Sequence, residues 1–261
     1  MKFYVVSDIH SFYTELISAL TEKGFFEETE PHKLIICGDL FDRGEEALKL
    51  QSFVLDLMKK NEVILIRGNH EDLLLNLIDD WDAFSFYQSH HKQNGTVGTV
   101  LQLAKTGFIV RSNKDEIKEK INNTPVIKQI IPSMLNYYET KKHIFVHGWI
   151  ACNASRYGGM ADSFSYNSAW RDLDEVDWKF ARWFNGMEAA RQGVIVPNKT
   201  IVCGHWHSSY GHSKIEGKCS EFGEDADFSP YIATGIVAID ACTAHSHKVN
   251  CIVIEDEEII G

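Results

Sequence analysis

Three times in its N-terminal part the chain repeats one pattern: a short apolar run, a polar loop, then a stretch with helical apolar spacing. The first run, Phe3 to Val6, ends at Ser7-Asp8-Ile9-His10. Leu16, Ile17 and Leu20 then fall at helical spacing, with Gly24 placed to cap. The second run, Leu34-Ile35-Ile36-Cys37, ends at Gly38-Asp39-Leu40-Phe41-Asp42-Arg43-Gly44. It precedes Ala47, Leu48, Phe53, Val54, Leu57 and Met58 on one helix face. The third, Val63-Ile64-Leu65-Ile66, ends at Arg67-Gly68-Asn69-His70-Glu71 and leads to Leu73, Leu74, Leu77 and Ile78. Such runs read as buried strands. Consecutive strand–helix units imply parallel strands joined by right-handed crossovers. Sheets of this kind put ligands at the carboxyl ends of their strands. Any one of these loops could be an ordinary polar turn, but three of them deliver carboxylates, imidazoles and arginine to the same edge.

The rest of the composition narrows the setting. The 261 residues suffice for a full core. A formal net charge of −11 argues against a broad nucleic-acid or anionic-membrane footprint. No apolar run approaches the ~20 residues of a membrane span. The first residues run straight into a strand, with no signal peptide. Six cysteines show no C-x-x-C spacing, and Cys37 and Cys203 lie inside apolar runs. Reduced thiols and a cytoplasmic location are expected.

Beyond Trp81 the pattern loosens. Helical spacing at 99–104 and 114–122 predicts a helical insertion over one side of the sheet, spanning 81–142 of a single 1–261 domain. His90 and His91 read as an exposed pair. Strand character returns at His143-Ile144-Phe145-Val146, ending at His147, and again at Thr200-Ile201-Val202-Cys203, ending at Gly204-His205-Trp206-His207. Between them, 151–167 reads as irregular around Gly158-Gly159. Trp178, Phe180, Trp183 and Phe184 read as the core face of a helix. Residues 211–229 read as a loop. The runs at 236–239 and 249–254 predict a hairpin across 241–248, and the acidic stretch 255–258 a solvated end.

The strand ends together offer Asp8, His10, Asp39, Asn69, His147, His205 and His207. This oxygen and imidazole set, without thiolate, suits manganese, iron or zinc better than calcium. Its size suits two metals sharing one carboxylate, with Asp39 the natural bridge. Two metals about 3.5–4 Å apart can activate a water and hold the oxygens of an in-line displacement at phosphorus. Arg43, with Arg171 as a second arginine and Arg156 and Arg182 as rivals, matches phosphate oxygens. His70 is placed to act as general acid, oriented by Asp42.

The ordered set D-x-H, G-D-x-x-D-R-G, G-N-H-E, a strand ending in His, and G-H resembles the calcineurin-like metallophosphoesterases. Within them it is similar to the small bacterial and phage Ser/Thr phosphatases of the phosphoprotein phosphatase family. The resemblance implies an α/β fold, a two-sheet β-sandwich flanked by helices in αββα layers. It implies one divalent ion on Asp8, His10 and Asp39 and another on Asp39, Asn69, His147 and His205, with manganese the expected metal. It implies phosphate contacts from Arg43 and a second arginine. Ser7 and Ser11 depart from the pattern, standing where glycine is usual, and a glycine at 11 would serve a backbone shape that serine tolerates poorly. Gly-His-Trp-His stands where Gly-His-Thr is usual. Its Gly-His-Trp is similar to the symmetrical dinucleoside tetraphosphate hydrolases, and its second histidine makes His207 a ligand candidate. Phosphoserine or phosphothreonine in proteins is the expected substrate. A dinucleoside polyphosphate or another small phosphoester is the alternative. A non-catalytic scaffold is the third reading, and the presence of every candidate ligand and of His70 argues against it.

Overall fold

Strands β1 (Lys2–Val6), β2 (His32–Cys37) and β3 (Val63–Ile66) lie parallel, with Tyr4 opposite Leu34 and Ile36 opposite Leu65. The chain is seen here in a computed structural model that describes residues 1–82, 90–157 and 160–259. Gly158-Gly159 and the side chain of Arg156 lie outside the described residues. The first three strands are apolar on both faces because both faces are covered. Tyr4, Val6, Leu34 and Ile36 pack outward on Leu16 and Leu20 of α1 (Tyr13–Glu22) and on Leu50, Val54 and Leu57 of α2 (Ala47–Lys60). Phe3, Val5, Ile35 and Cys37 face the other way, against Phe145, Val202 and Ile239 of a second sheet. A third helix, α3 (Asn69–Asp79), starts directly from the loop after β3.

The second sheet draws on β4 (Tyr138–Glu139) and β5 (His143–Phe145). After a separate hairpin, β6 (Asn153–Tyr157) and β7 (Met160–Ser165), it continues with β8 (Thr200–Cys203), β9 (Tyr231–Ala233) and β10 (Ile236–Ala238). Its order is β4-β5-β8-β10-β9, with β5, β8 and β10 parallel. Its outer face packs on Trp149, Trp170, Trp178 and Met187. Trp178 belongs to α7 (Glu175–Ala181) and Met187 to α8 (Gly186–Arg191). The layers are therefore helix, sheet, sheet, helix, as expected. The segment around 81–142 contains α4 (His90–Gln93), α5 (Thr96–Leu103) and α6 (Lys114–Asn122). Val97, Val100 and Leu103 of α5 are buried in the same core as α2.

Several sequence expectations need correction. β11 (Ile252–Glu255) forms no hairpin with β10: it pairs antiparallel with β1 and becomes the edge of the first sheet. Both sides of β10 are already taken, by β8 and β9, whereas β1 has a free side. The 151–167 stretch is a hairpin rather than irregular, with Asn153 opposite Ser165. The acidic end is not simply solvated. Asp256 is buried and accepts hydrogen bonds from Thr140 Oγ1 (2.7 Å), Lys142 N (2.8 Å) and His143 Nδ1 (2.7 Å), tying the chain end to the β4–β5 turn. His91 is buried while His90 is exposed. Trp178 and Phe184 are core, but Trp183 is 49% exposed.

Candidate metal centre

The loops that follow β1, β2, β3, β5 and β8 converge, and their backbones are unusual. Asp8, His10, Ser11, Asp39, Asp42, Arg43 and His205 all have positive φ, seven of the twelve such non-glycine residues among those described. Side chains rarely adopt this region, and it collects where surrounding structure forces a functional geometry. Ser11, at φ 62°, shows why glycine suits that place. Gly68 is required for a different reason: a Cβ there would lie 2.1 Å from Asp39 Oδ1.

Asp39 sits at the centre. One group of metal-capable side chains is His10, Asp39 and His70, and another is Asp39, His147 and His205. Within each group the ligand atoms lie within 4.8 Å of one another. The hydrogen bonds decide which imidazole nitrogen faces inward. His10 Nδ1–H donates to Phe41 O (3.0 Å) and His147 Nδ1–H to Cys37 O (2.8 Å), since a carbonyl can only accept. Their Nε2 atoms then carry lone pairs rather than protons. That of His147 faces Asn69 Oδ1 at 2.7 Å and Asp39 Oδ1 at 3.3 Å, and that of His10 faces Asp39 Oδ2 at 3.7 Å. Acceptors converging on acceptors, with the outer ring nitrogen anchored on backbone, is the arrangement of ligands around a cation. Asp8 joins through its Oδ2, which accepts from His205 N at 3.0 Å.

The electrostatics agree. Burial and the nearby Asp240 and Asp39 carboxylates push Asp8 well above the usual carboxylate range. Burial raises Asp240 to about 6. Burial, then the neighbouring Arg43, lowers His10, and burial lowers His147, and His205 to about 3. Burial opposes ionisation of Asp39, but the surrounding imidazoles hold it below its ordinary value. Neutral imidazoles and crowded buried carboxylates are what a divalent cation would relieve, so the donor set fits metal ions. A pH dependence follows. The Asp8 proton must leave before a metal binds, while the imidazoles are already neutral. Affinity of metal-free protein for Mn²⁺ should therefore fall about tenfold per pH unit below the raised Asp8 value. Calorimetric titration over that range measures this, and a flat profile would remove Asp8 from the ligand set.

His70 lies on the rim of this cluster. Its Nδ1–H donates to Asp42 Oδ2 at 2.7 Å. Burial alone would lower its pKa, yet the Asp39 and Asp42 carboxylates raise it. Arg43, at an exposed position, reaches His10 Nε2 with Nη1 (3.0 Å) and His70 Nε2 with Nη2 (3.2 Å), donating to both.

Other candidates lie elsewhere. Arg171 makes two hydrogen bonds to Glu139, at 2.8 and 2.6 Å, and covers the Trp170 ring. His207 Nδ1 is 2.7 Å from Ser209 Oγ and its Nε2 is 3.4 Å from Glu221. His207 does not belong to the two groups around Asp39. Arg182 is 1% exposed and bonds to Asp72 (2.8 Å), Asn136 (2.7 Å) and Glu175. These partners make it a structural ion pair rather than a phosphate clamp. Arg182→Met should cost about 3 kcal/mol or more in urea denaturation, because Asp72 stays buried with less compensation. The KM for an aryl phosphate should not change. A raised KM with unchanged stability would make Arg182 a substrate contact.

Three contributors carried no role in the sequence reading. Glu71 accepts from the backbone N–H groups of Gly68 (2.8 Å), Asp39 (3.1 Å) and Leu40 (3.0 Å). Thr96 and Thr99 donate to Asp42. The G-N-H-E motif pointed to Glu71, but two threonines on an apolar helix carry no local signal.

The calcineurin-like phosphoesterase family matches residues 1–248. Serine/threonine-protein phosphatase 2 of Salmonella typhimurium is 34% identical over 210 residues, covering 79% of this chain and 80% of that protein. The symmetrical bis(5'-nucleosyl)-tetraphosphatase of Buchnera aphidicola is 37% identical over 94 residues, 36% of this chain; the chain spans 31% of that relative's length. A cold-active protein-tyrosine phosphatase of a psychrophilic Shewanella superposes with TM-score 0.56 at 15% identity, over 97% of this chain and 75% of that one, a likeness of fold. No helix among the described residues is long and apolar enough to cross a membrane. With the family match running from the first strand past the last donor loop, and the donors gathered around Asp39, the chain belongs to the calcineurin-like phosphoesterases, a family of metal-dependent phosphoester hydrolases.

Proposed function

We propose that this protein hydrolyses phosphomonoesters, with phosphoserine and phosphothreonine in proteins as its substrates. The observation that carries the reading is the row Asp42–His70–Arg43 beside the metal cluster. Asp8, His10 and Asp39 would hold one divalent ion and Asp39, Asn69, His147 and His205 the other, with manganese fitting the donor types. Such ions polarise phosphoryl oxygens and make a water nucleophilic near neutral pH. The chain's own groups do the rest. The two Nη groups of Arg43 turn from the imidazoles to the phosphate oxygens. Released from Arg43, His70 Nε2 takes a proton from solvent and gives it to the leaving oxygen, while Asp42 holds the Nδ1–H and fixes the ring. A cytoplasmic site of action fits the six free thiols.

His70→Ala is expected to retain metal and to lose about 10²-fold or more in turnover of an aryl phosphate with a poor leaving group. Unchanged turnover would take His70 out of the reaction.

Protein substrates are favoured over dinucleotides because the likeness to the Salmonella phosphatase runs through most of the chain, whereas that to the tetraphosphatase covers about a third. Trp206, the residue that most suggests a nucleotide, packs edge-on against Tyr210 at 5.1 Å beside the second-sheet core. The test is direct: load stripped protein with Mn²⁺ and compare phosphate release from a phosphothreonine peptide with cleavage of diadenosine tetraphosphate. Preference for the peptide supports the reading. Preference for the dinucleotide replaces it, and activity on neither with metal bound makes the protein a binding scaffold.

A further inference from the structure

We propose that Thr96 and Thr99 of α5 are positioning residues for the general acid: their hydroxyls hold Asp42 in the one orientation that aims His70 at the leaving oxygen. This rests on the reading of His70 as the acid. It assigns a task to a helix outside the repeated strand–loop–helix units that supply most of the site.

The argument starts from the number of bonds on one buried carboxylate. Asp42 Oδ2 accepts from His70 Nδ1 (2.7 Å) and from Thr96 Oγ1 (2.8 Å). Its Oδ1 accepts from Thr99 Oγ1 (2.6 Å), and that same hydroxyl oxygen accepts from Asp42 N at 2.9 Å. Asp42, Thr96 and Thr99 are all buried. With His70 as its only partner, the carboxylate could turn about its side-chain torsions and carry the imidazole with it. Thr99 closes a two-bond ring onto the Asp42 backbone and side chain, and Thr96 pins the oxygen that holds His70.

The rest of α5 is registered to the same loop. Gln102 donates Nε2–H to Gly44 O and accepts from Ala47 N, both at 2.9 Å. Residues 96, 99 and 102 lie three apart on one face of the helix. Gly95, at φ +87°, lets the helix start press on the Asp42–Arg43 turn, where a Cβ would sit 2.2 Å from Arg43 N. A surface cap would need none of these contacts. They place α5 behind the acid, as a brace.

In the step concerned, the bond between phosphorus and the leaving oxygen breaks and its electron pair stays on that oxygen. The oxygen takes the proton from His70 Nε2, and the imidazole is left neutral. A misaimed imidazole hurts only substrates whose leaving group needs that proton. The experiment compares the Mn²⁺-loaded wild type, T96V/T99V, T96S/T99S and H70A on phenyl phosphate and 2,4-dinitrophenyl phosphate. The metal-free proteins are examined for the downfield proton resonance of the His70 Nδ1–H. In T96V/T99V, kcat for phenyl phosphate should fall about 10–100-fold. That for the dinitrophenyl ester should fall less than about threefold, and the downfield resonance should shift or vanish. Serine at both positions should restore the wild-type pattern. An equal loss on both esters, or no loss and an unmoved resonance, overturns the proposal. H70A separates the two layers. If it shows the leaving-group dependence and the valine variant does not, the brace is wrong; if H70A lacks it, the general-acid reading itself falls. Should T96V/T99V not fold, T96V alone, which keeps the Thr99 ring, must show the same selective loss at smaller size.

Discussion

Asp39→Asn is expected to reduce turnover by about 10³-fold and to strip the protein of at least one metal ion. The magnitude follows from position. Asp39 is the one carboxylate in both metal-capable groups, so its loss removes the anionic group from each. With its oxygen at the Oδ1 position, the substituted amide would turn its N–H₂ toward His10 Nε2, which Asp39 Oδ2 faces at 3.7 Å, and would put a donor where a divalent ion needs an acceptor. The fold should survive, because one amide oxygen can still accept from His70 N, as Asp39 Oδ1 does at 3.0 Å. Elemental analysis of Mn²⁺-loaded protein, alongside kcat on an aryl phosphate, checks both parts. Full metal content with normal turnover would show that the centre is not built on Asp39.

The second large effect lies just behind Asp39. Glu71→Ala is expected to cost about 3 kcal/mol or more and to weaken metal binding with it. The Glu71 carboxyl is 1% exposed and takes three backbone N–H groups from the loops after β2 and β3. Each buried donor left without a partner costs about 1–3 kcal/mol. Burial and the Asp39 charge push Glu71 up to about 7, so part of that cost is offset by removing a carboxyl that is itself uncomfortable. Glu71→Gln should fall between, since its amide can accept but also presents a donor to a donor. Two of the three N–H groups belong to Asp39 and Leu40, so releasing them lets the central ligand move. Urea midpoints and Mn²⁺ titration measure the two effects together. A variant as stable as wild type, with unchanged affinity, would show that the Asp39 loop holds its own shape.

These two residues differ in how far they could be seen in advance. Residue type and place point to Asp39 as the bridge: a carboxylate at the end of an apolar run, midway through the donor set. Glu71 stood in plain view in Gly68-Asn69-His70-Glu71, but nothing local says that its carboxyl turns back onto the neighbouring loop. Strands β1, β2, β3 and β8 were legible because their continuous apolar runs reflect burial on both faces. The β6–β7 hairpin was missed because its strands, Asn-Ala-Ser-Arg-Tyr and Met-Ala-Asp-Ser-Phe-Ser, carry little apolar signal. Arg171 looked like a phosphate contact by its neighbours in the chain, and in space it pairs with Glu139.

Alone, the sequence determined which oxygen and imidazole side chains stand at the ends of the apolar runs, and so the strand ends where they gather. Both follow from short-range causes: apolar runs make strands, strands end in loops, and those loops carry Asp8, His10, Asp39, Asn69, His147 and His205. Only the tertiary structure decided which imidazole nitrogen faces inward, that Glu71 clamps the Asp39 loop, that Thr96 and Thr99 brace Asp42, and that β11 returns to β1 rather than to β10. Each of these is a hydrogen bond or pairing between groups distant in the chain, set by which buried polar atom lacks a partner once the two sheets have packed. No local periodicity records that.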